Sequence, residues 1–426
     1  MALLSLTRPR FLLALALLFA ACSDREHVNP LDPANPETNG VPWRFAAVAA
    51  DRAVDLRWEP QEAADLGGFR IVRAAGGAPD STIATLPPPA AAYRDTTVAN
   101  GIDYTYRLVP FLADGSPIAP AGPIAATPGP AEVWVADAGG YEVVRVSPDG
   151  RAVAFRVRGF RAPNSVAVSA RDGLVWVADS FGGRVVALAR DGSLVREVPG
   201  FVVPKAVSVS PADGSVWVAD ERAGTITHLT AAGARLTETG GLVEPADVAA
   251  NPGDGGCWAA DAALAEVWFI AADGAVRERI AGFAEPIQLA AVHADGSCWV
   301  ADDDADLVRR VYPDGSVRQV VSPVPRPFGL AVNQENEDLW VGSFTAGTVE
   351  RYTTRGGRID LIVRAGGFER PLGMAVDPID DGLWVADSGP GAVVKLTTSG
   401  VESGRVGGLS VPFDVDVGPG SAGSRW

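Results

Sequence analysis

Six aspartates recur at one place in a repeated phrase. "VWVAD", or a close variant of it, ends in Asp137, Asp179, Asp220, Asp261, Asp302 and Asp387, and a seventh copy carries Ser343 there. Carboxylates repeated this regularly around a ring would suit a metal ion. They would equally suit turns, because an Asp that ends a strand accepts a hydrogen bond from a backbone N–H two or so residues on. Ser343 can do the turn-fixing job, which supports the second reading.

A denser group follows one of these phrases. "ADDDAD" at 301–306 sets Asp302, Asp304 and Asp306 at i, i+2 and i+4, like the start of a calcium loop. Leu307 stands where a hand-type loop needs Gly, and no Glu lies at the twelfth position. That leaves a looser calcium site or a solvated acidic loop, and no other cofactor is indicated. The three histidines, His27, His228 and His293, differ in repeat register, which disfavours a His-based zinc site or a Ser-His-Asp triad. Cys257 and Cys298 each precede a repeat Trp. Equivalent positions of successive repeats point the same way round, so these thiols are expected to be small buried hydrophobes and not a disulfide.

The elements that hold these residues follow from the spacing. Repeat tryptophans stand at 134, 176, 217, 258, 299, 340 and 384. A period of about 40–45 with several short strands is that of propeller blades. One period predicts strands at Val166–Val168, Val175–Ala178, Arg184–Ala189 and Leu194–Val198, with turns at Asp172–Gly173 and Asp191–Gly192. Inner strands follow Pro163, Pro204, Pro245, Pro286, Pro327, Pro371 and Pro412. The first Trp repeat has no Pro-led strand before it, and the last Pro-led strand has no "WVAD" after it. Phe413–Val417 is therefore expected to supply the inner strand of the first blade and close a seven-bladed ring without open edges. Residues 129–426 resemble NHL-type propellers and, more loosely, the streptogramin lyase-like ones. The lyase resemblance implies a His and Glu pair on "WFTE"-like phrases, whereas this chain has "WVAD" and no evident His partner. Gluconolactonase-like propellers would need a Glu/Asn/Asp calcium set on the channel, and none is assignable.

Residues 41–128 read differently. "AVDLRW", "GGFRIVRA" and "DYTYRLVPF" alternate apolar and polar residues between Gly, Pro and Asp turns, the pattern of a β-sandwich. Trp58, together with Val98, Asn100–Gly101 and Tyr104, resembles the core Trp and tyrosine corner of a fibronectin type III domain. The fold expected is all-β, a fibronectin type III-like sandwich followed by the propeller.

Ahead of both, Arg8 and Arg10 precede an apolar run from Phe11 to Phe19, then Ala20, Ala21 and Cys22. That is the layout of a secretory signal, and the run is too short to span a bilayer. "FAAC" resembles a bacterial lipobox, which implies a signal peptide at 1–21 and lipidation of Cys22. Residues 22–40, rich in Pro, Asn, Asp and Glu, then read as a disordered tether. Ser23 is not the Asp that retains some lipoproteins at the inner membrane, so the expected address is the cell envelope, at the outer membrane. A formal charge of −16 repels phosphate backbones and disfavours nucleic acid as a partner.

What varies while the scaffold repeats is the chemistry of one face. Along the channel mouth the sequence places Asn164, Lys205, Asp247, Gln288, Phe328, Leu372 and Asp414, and nearby loops offer Tyr141, Phe181, Arg222, Leu264 and Phe344. Aromatics with a few polar groups suit an extracellular protein, peptide or glycan. The function expected is a lipid-anchored binding or scaffold protein. The alternative is a propeller enzyme of lyase or lactonase type, with a carboxylate set around Asp247, Asp414 and Asp302.

Overall fold

The computed structural model describes residues 44–59, 66–251, 253–291 and 294–418. The signal-like segment, Cys22, the tether, His27 and His293 lie outside them. Two compact units are present, divided between Pro128 and Gly129, with Ala49–Asp51 grouped with the second.

The first unit has two antiparallel sheets. One pairs Ala46–Ala50, Ala53–Arg57 and Ala92–Asp95, and the other orders Ser81–Leu86, Leu66–Ala75, Tyr104–Leu112 and Ala121–Ala126. The alternating residues put one face of each strand inside: Val54, Leu56, Phe69, Ile71, Tyr106 and Leu108 are fully buried. Trp58 packs against Phe69, with ring centroids 5.4 Å apart. The Tyr104 hydroxyl accepts a 3.0 Å hydrogen bond from the Ala99 N–H.

The second unit is a β-propeller. Among the described residues it holds seven four-stranded antiparallel sheets. The second blade runs Pro163–Val168, Val175–Asp179, Arg184–Leu188 and Leu194–Pro199, within a residue or a few of the strands expected from spacing. Asp172 and Asp191 accept the N–H two residues on, at Leu174 and Ser193, and so fix the turns between strands. The "WVAD" strands are buried throughout because each lies between two neighbouring blades. Trp176 packs on Val207, Val216, Val218 and Leu229 of the next blade. Trp384 packs on Val133, Val135 and Val415 of the first. Each buried indole removes about 200 Å² from water, worth up to about 5 kcal/mol. The core is thus a set of interblade layers, and the tryptophans need no ligand to account for them.

Closure occurs where the sequence points. Pro412–Gly418 pairs with Glu132–Asp137, with Val415 opposite Val135 and Asp416 opposite Trp134. Successive inner strands lie side by side from Pro163–Val168 round to Pro371–Val376, and Pro412–Gly418 bridges that last strand to the first. Cys257 and Cys298 are buried free thiols.

Candidate ligand site in the propeller channel

The "WVAD" aspartates are staples, with a wider reach than turn fixing. Asp220 accepts the N–H groups of Val202 and Val203 at 2.6 and 2.8 Å, in the loop that leads into its own blade's inner strand. Asp179, Asp261, Asp302 and Asp387 do the same for Arg161 and Ala162, Val243 and Glu244, Ala284 and Glu285, and Glu369 and Arg370. Asp137 takes Ser410 and Val411, so one staple also holds the closing strand. The local turn bond exists as well, three residues on, to Gly140, Ala223 and Leu264. A Cβ on Gly182 would come 2.2 Å from the Asp179 carboxylate, so the loop can fold over its staple only with glycine there.

Every inner strand opens with a register shift just after its proline, as between Pro163 and Ser165 or Pro245 and Asp247. A bulge leaves the extra residue out of the ladder and re-aims its side chain. Here the bulges form a ring, and the side chains beside them line a central cavity of about 810 Å³. Asn164, Lys205, Asp247, Gln288, Phe328, Leu372 and Asp414 all reach it. They form two layers. Directly after each proline come Phe413, Asn164, Lys205, Ala246, Ile287, Phe328 and Leu372. One position further come Asp414, Ser165, Ala206, Asp247, Gln288, Gly329 and Gly373. The first layer is apolar over five adjacent blades, from Ala246 and Ile287 to Phe328, Leu372 and Phe413, and Phe328 and Phe413 meet edge to face at 6.1 Å.

The second layer hooks blade to blade. Asp247 accepts the Leu289 N–H of the next inner strand at 2.8 Å, and Asp414 accepts that of Val166 at 3.0 Å. Ser165 takes Val207, and two residues further along their strands Ser208 takes Ala250 and Asp416 takes Val168. These N–H groups belong to the free inner edge of each sheet, which has no further strand to pair with. Burial pushes the carboxyls of Asp247 and Asp414 up to about 7, with the Asp414 charge adding to the rise at Asp247. Burial raises Asp416 too. Lys205, the cation of this layer pair, is bound to Glu221 at 2.8 Å.

Phe344 joins the cavity lining; Tyr141, Phe181 and Arg222 do not. Tyr141 and Phe181 are 58% and 71% exposed, on loops outside the channel, and Arg222 is exposed. Of the acidic trio, Asp302 is spent as a staple and pairs with Arg309 at 3.2 Å, while Asp306 accepts the Arg326 N–H. Asp304 instead meets Glu285 and Asp303, with carboxylate oxygens within 4.8 Å of one another. These three are the set that could hold a divalent cation, although the Arg326 guanidinium already clasps Asp303. Burial, then Asp304 and Asp303, raise Glu285. His228 stacks on Trp217 at 3.9 Å, with its Nδ1 3.1 Å from the Ala272 carbonyl. Asp416, Phe413, Met374 and Glu285 belong to the lining and were missed by sequence reasoning. Alternation along "PFDVDV" signals Asp416; nothing local signals Glu285.

The fold and this channel define the second unit as a β-propeller with a ligand-sized central cavity. Its solved neighbours agree on the fold. A streptogramin B lyase structure is 18% identical with a TM-score of 0.52, covering 60% of this chain and 86% of the other. A functionally unknown protein from Desulfotomaculum acetoxidans is 16% identical with a TM-score of 0.59, covering 67% and 98%. A catalytically inactive histidine-to-alanine virginiamycin B lyase from Staphylococcus aureus, with quinupristin, is 18% identical with a TM-score of 0.50, covering 64% and 87%. No protein-family model matches the chain. No curated protein matches it either.

Proposed function

We propose that the protein is a binding protein of the cell envelope that captures an extracytoplasmic ligand in the propeller channel. The observation behind this reading is the cavity itself. Its volume of about 810 Å³ falls in the range that holds small organic ligands or a peptide end. Its first layer differs from blade to blade while the tryptophan and staple layers repeat. In this reading Cys22 carries the lipid, residues 22–40 form the tether, and a fibronectin type III-like unit follows the tether and precedes the propeller in the chain. The exposed loop residues Tyr141, Phe181 and Arg222 would serve a protein partner outside the channel.

The lyase or lactonase reading has less behind it. Among the described residues no histidine lines the cavity, and His228 is occupied with Trp217. Calcium would have to sit on Glu285, Asp303 and Asp304 and displace Arg326.

A calorimetric screen of peptides, glycans and small organic ions against the purified protein tests the proposal. The ligand found should lose at least about tenfold in affinity in Phe328→Ala/Phe413→Ala and little in Tyr141→Ala/Phe181→Ala. The reverse pattern would move the site to the outer loops. Labelled palmitate should enter the protein in cells and be absent from Cys22→Ala; equal labelling would remove the lipid anchor.

A further inference from the structure

Resting on the channel reading, we propose that the occupant is an organic cation: an ammonium facing Asp247 and Asp414, with an apolar body against Phe328, Leu372 and Phe413.

The argument is one of charge and shape. The cavity lining carries six carboxyl groups, Glu244, Asp247, Glu285, Asp303, Asp414 and Asp416, against three cations, Lys205, Arg326 and Arg370. Lys205 is already neutralised by Glu221. Lys205 acts on Asp247 from a distance, but among the described residues no ion pair ties a cation to Asp247, Asp414 or Asp416. Asp247 and Asp414 each accept two backbone N–H bonds, from Val248 and Leu289 and from Val415 and Val166. A carboxylate has about four acceptor sites; Asp414 also takes the Ser165 hydroxyl, so Asp247 keeps about two for the cavity and Asp414 about one. An anion would meet this excess of acids with Lys205 and Arg326 already paired, to Glu221 and Asp303. A neutral apolar ligand would cover the aromatic wall and strip water from the carboxylates without replacing it. A cation with an apolar body satisfies both walls, and the Phe328 and Phe413 rings add their own attraction for positive charge.

Titration supports the same class. With no cation present, burial holds Asp247 and Asp414 near neutral pH. The charged and titratable groups around them are Lys205 on the preceding blade, Cys298 on the following one, each other, and Asp416. Binding of a permanent cation should therefore strengthen as pH rises from 6 to 8 and these carboxyls lose protons.

Phenethylammonium, benzyltrimethylammonium, phenethyl alcohol and phenylacetate are the probes, measured by calorimetry on the purified protein. The two cations should bind at least about tenfold tighter than the alcohol, with phenylacetate weakest. Asp247→Asn and Asp414→Asn also disturb the hooks between blades, so Lys205→Gln is the second variant. It leaves every hook in place and should tighten the cations by about threefold without affecting the alcohol. Equal binding of alcohol and cations, both lost in Phe328→Ala/Phe413→Ala, would overturn the cation and keep the channel. Cation binding unchanged in that aromatic double variant would overturn both. Preference for phenylacetate, or no binding of either cation, would overturn this inference.

Discussion

Ser343 is the one break in the ring of staples, and its neighbourhood explains it. The other staples accept two N–H groups from the residues before the inner-strand proline. In this blade the first of those residues is Pro325, which has no N–H to give. Ser343 reverses the bond and donates its hydroxyl to the Pro325 carbonyl, while the Arg326 N–H goes to Asp306. Ser343→Asp should therefore destabilise by about 1–3 kcal/mol, since it buries a carboxylate against a carbonyl. Asp220→Ala should cost about 2–4 kcal/mol, because three N–H groups lose their acceptor. Urea melts of both variants check this, and a neutral Ser343→Asp would refute the pairing with Pro325. His228 is also settled by its neighbours. It lies opposite Trp217 in the ladder, at the place where Arg145, Arg310, Arg351 and Lys395 lie over their own blades' tryptophans. Burial lowers its pKa below 6.5. The folded state thus resists its protonation, and its share of stability, intact above pH 6.5, is lost as pH falls below that value. Melting temperature against pH should show a shallower acid limb in His228→Phe; an unchanged limb would clear His228 of the effect.

The bulged inner strand is the element on which the site depends. Its proline lies at the ladder's start, the next residue leaves the ladder toward the cavity, and the one after that reaches to the following blade. Gly373 shows how closely these strands approach, since a Cβ there would come 2.5 Å from the Asp414 backbone and carboxylate. Gly373→Ala should cost about 1–3 kcal/mol and weaken any ligand that uses Asp414. The closing strand is the other decisive element. Removing 412–426 would uncover Val133 and Val135 and take away the strand that holds the Ser410 and Val411 N–H groups in place over Asp137. Hydrogen exchange should then rise across Glu142–Val146 and Val153–Arg158. Protection equal to that of the full chain would mean that the first blade holds without its inner strand.

At the scale of the whole molecule, the ring collects buried acids that no local interaction would gather. Asp247 comes from the fourth blade and Asp414 from the first, yet the Asp414 charge helps raise Asp247. Burial lifts both carboxyls from the ordinary aspartate value of 3.8 to about 7. The folded state holds these protons more tightly, so the associated stability is complete below about pH 4 and is lost as pH rises through 7. The stability contributed by these carboxyls should therefore slope downward from about pH 4 to 7, flatten in Asp414→Asn, and recover when a bound cation supplies the missing charge. A flat wild-type profile over that range would show that the two carboxyls are solvated in the channel.

The repeat, the four strands of a blade and the borrowed last strand were legible in the sequence. Each is written in local spacing: a tryptophan about every 41 residues, a proline before each inner strand, and a mismatch between first and last repeats. Cys257 and Cys298 were legible for the same reason, as one repeat position used twice. The site was legible only in part. The variable residues after each proline do reach one cavity, but their division into a layer facing the mouth and a layer hooking the next blade depends on the bulge. Spacing alone places Asn164 and Ser165 as mere neighbours. The trio 302, 304, 306 misled because sequence adjacency does not reveal which carboxylates are already spent on backbone N–H groups from 18 or 20 residues downstream or upstream. Glu285 and Asp303 meet through the staple geometry of the fifth blade, and Asp247 meets Asp414 only because the ring closes. Periodicity determines which residues are buried between blades, since burial follows local alternation. Only the tertiary structure decides which side chains face one another across the channel, because that depends on the cumulative rotation of seven sheets about one axis.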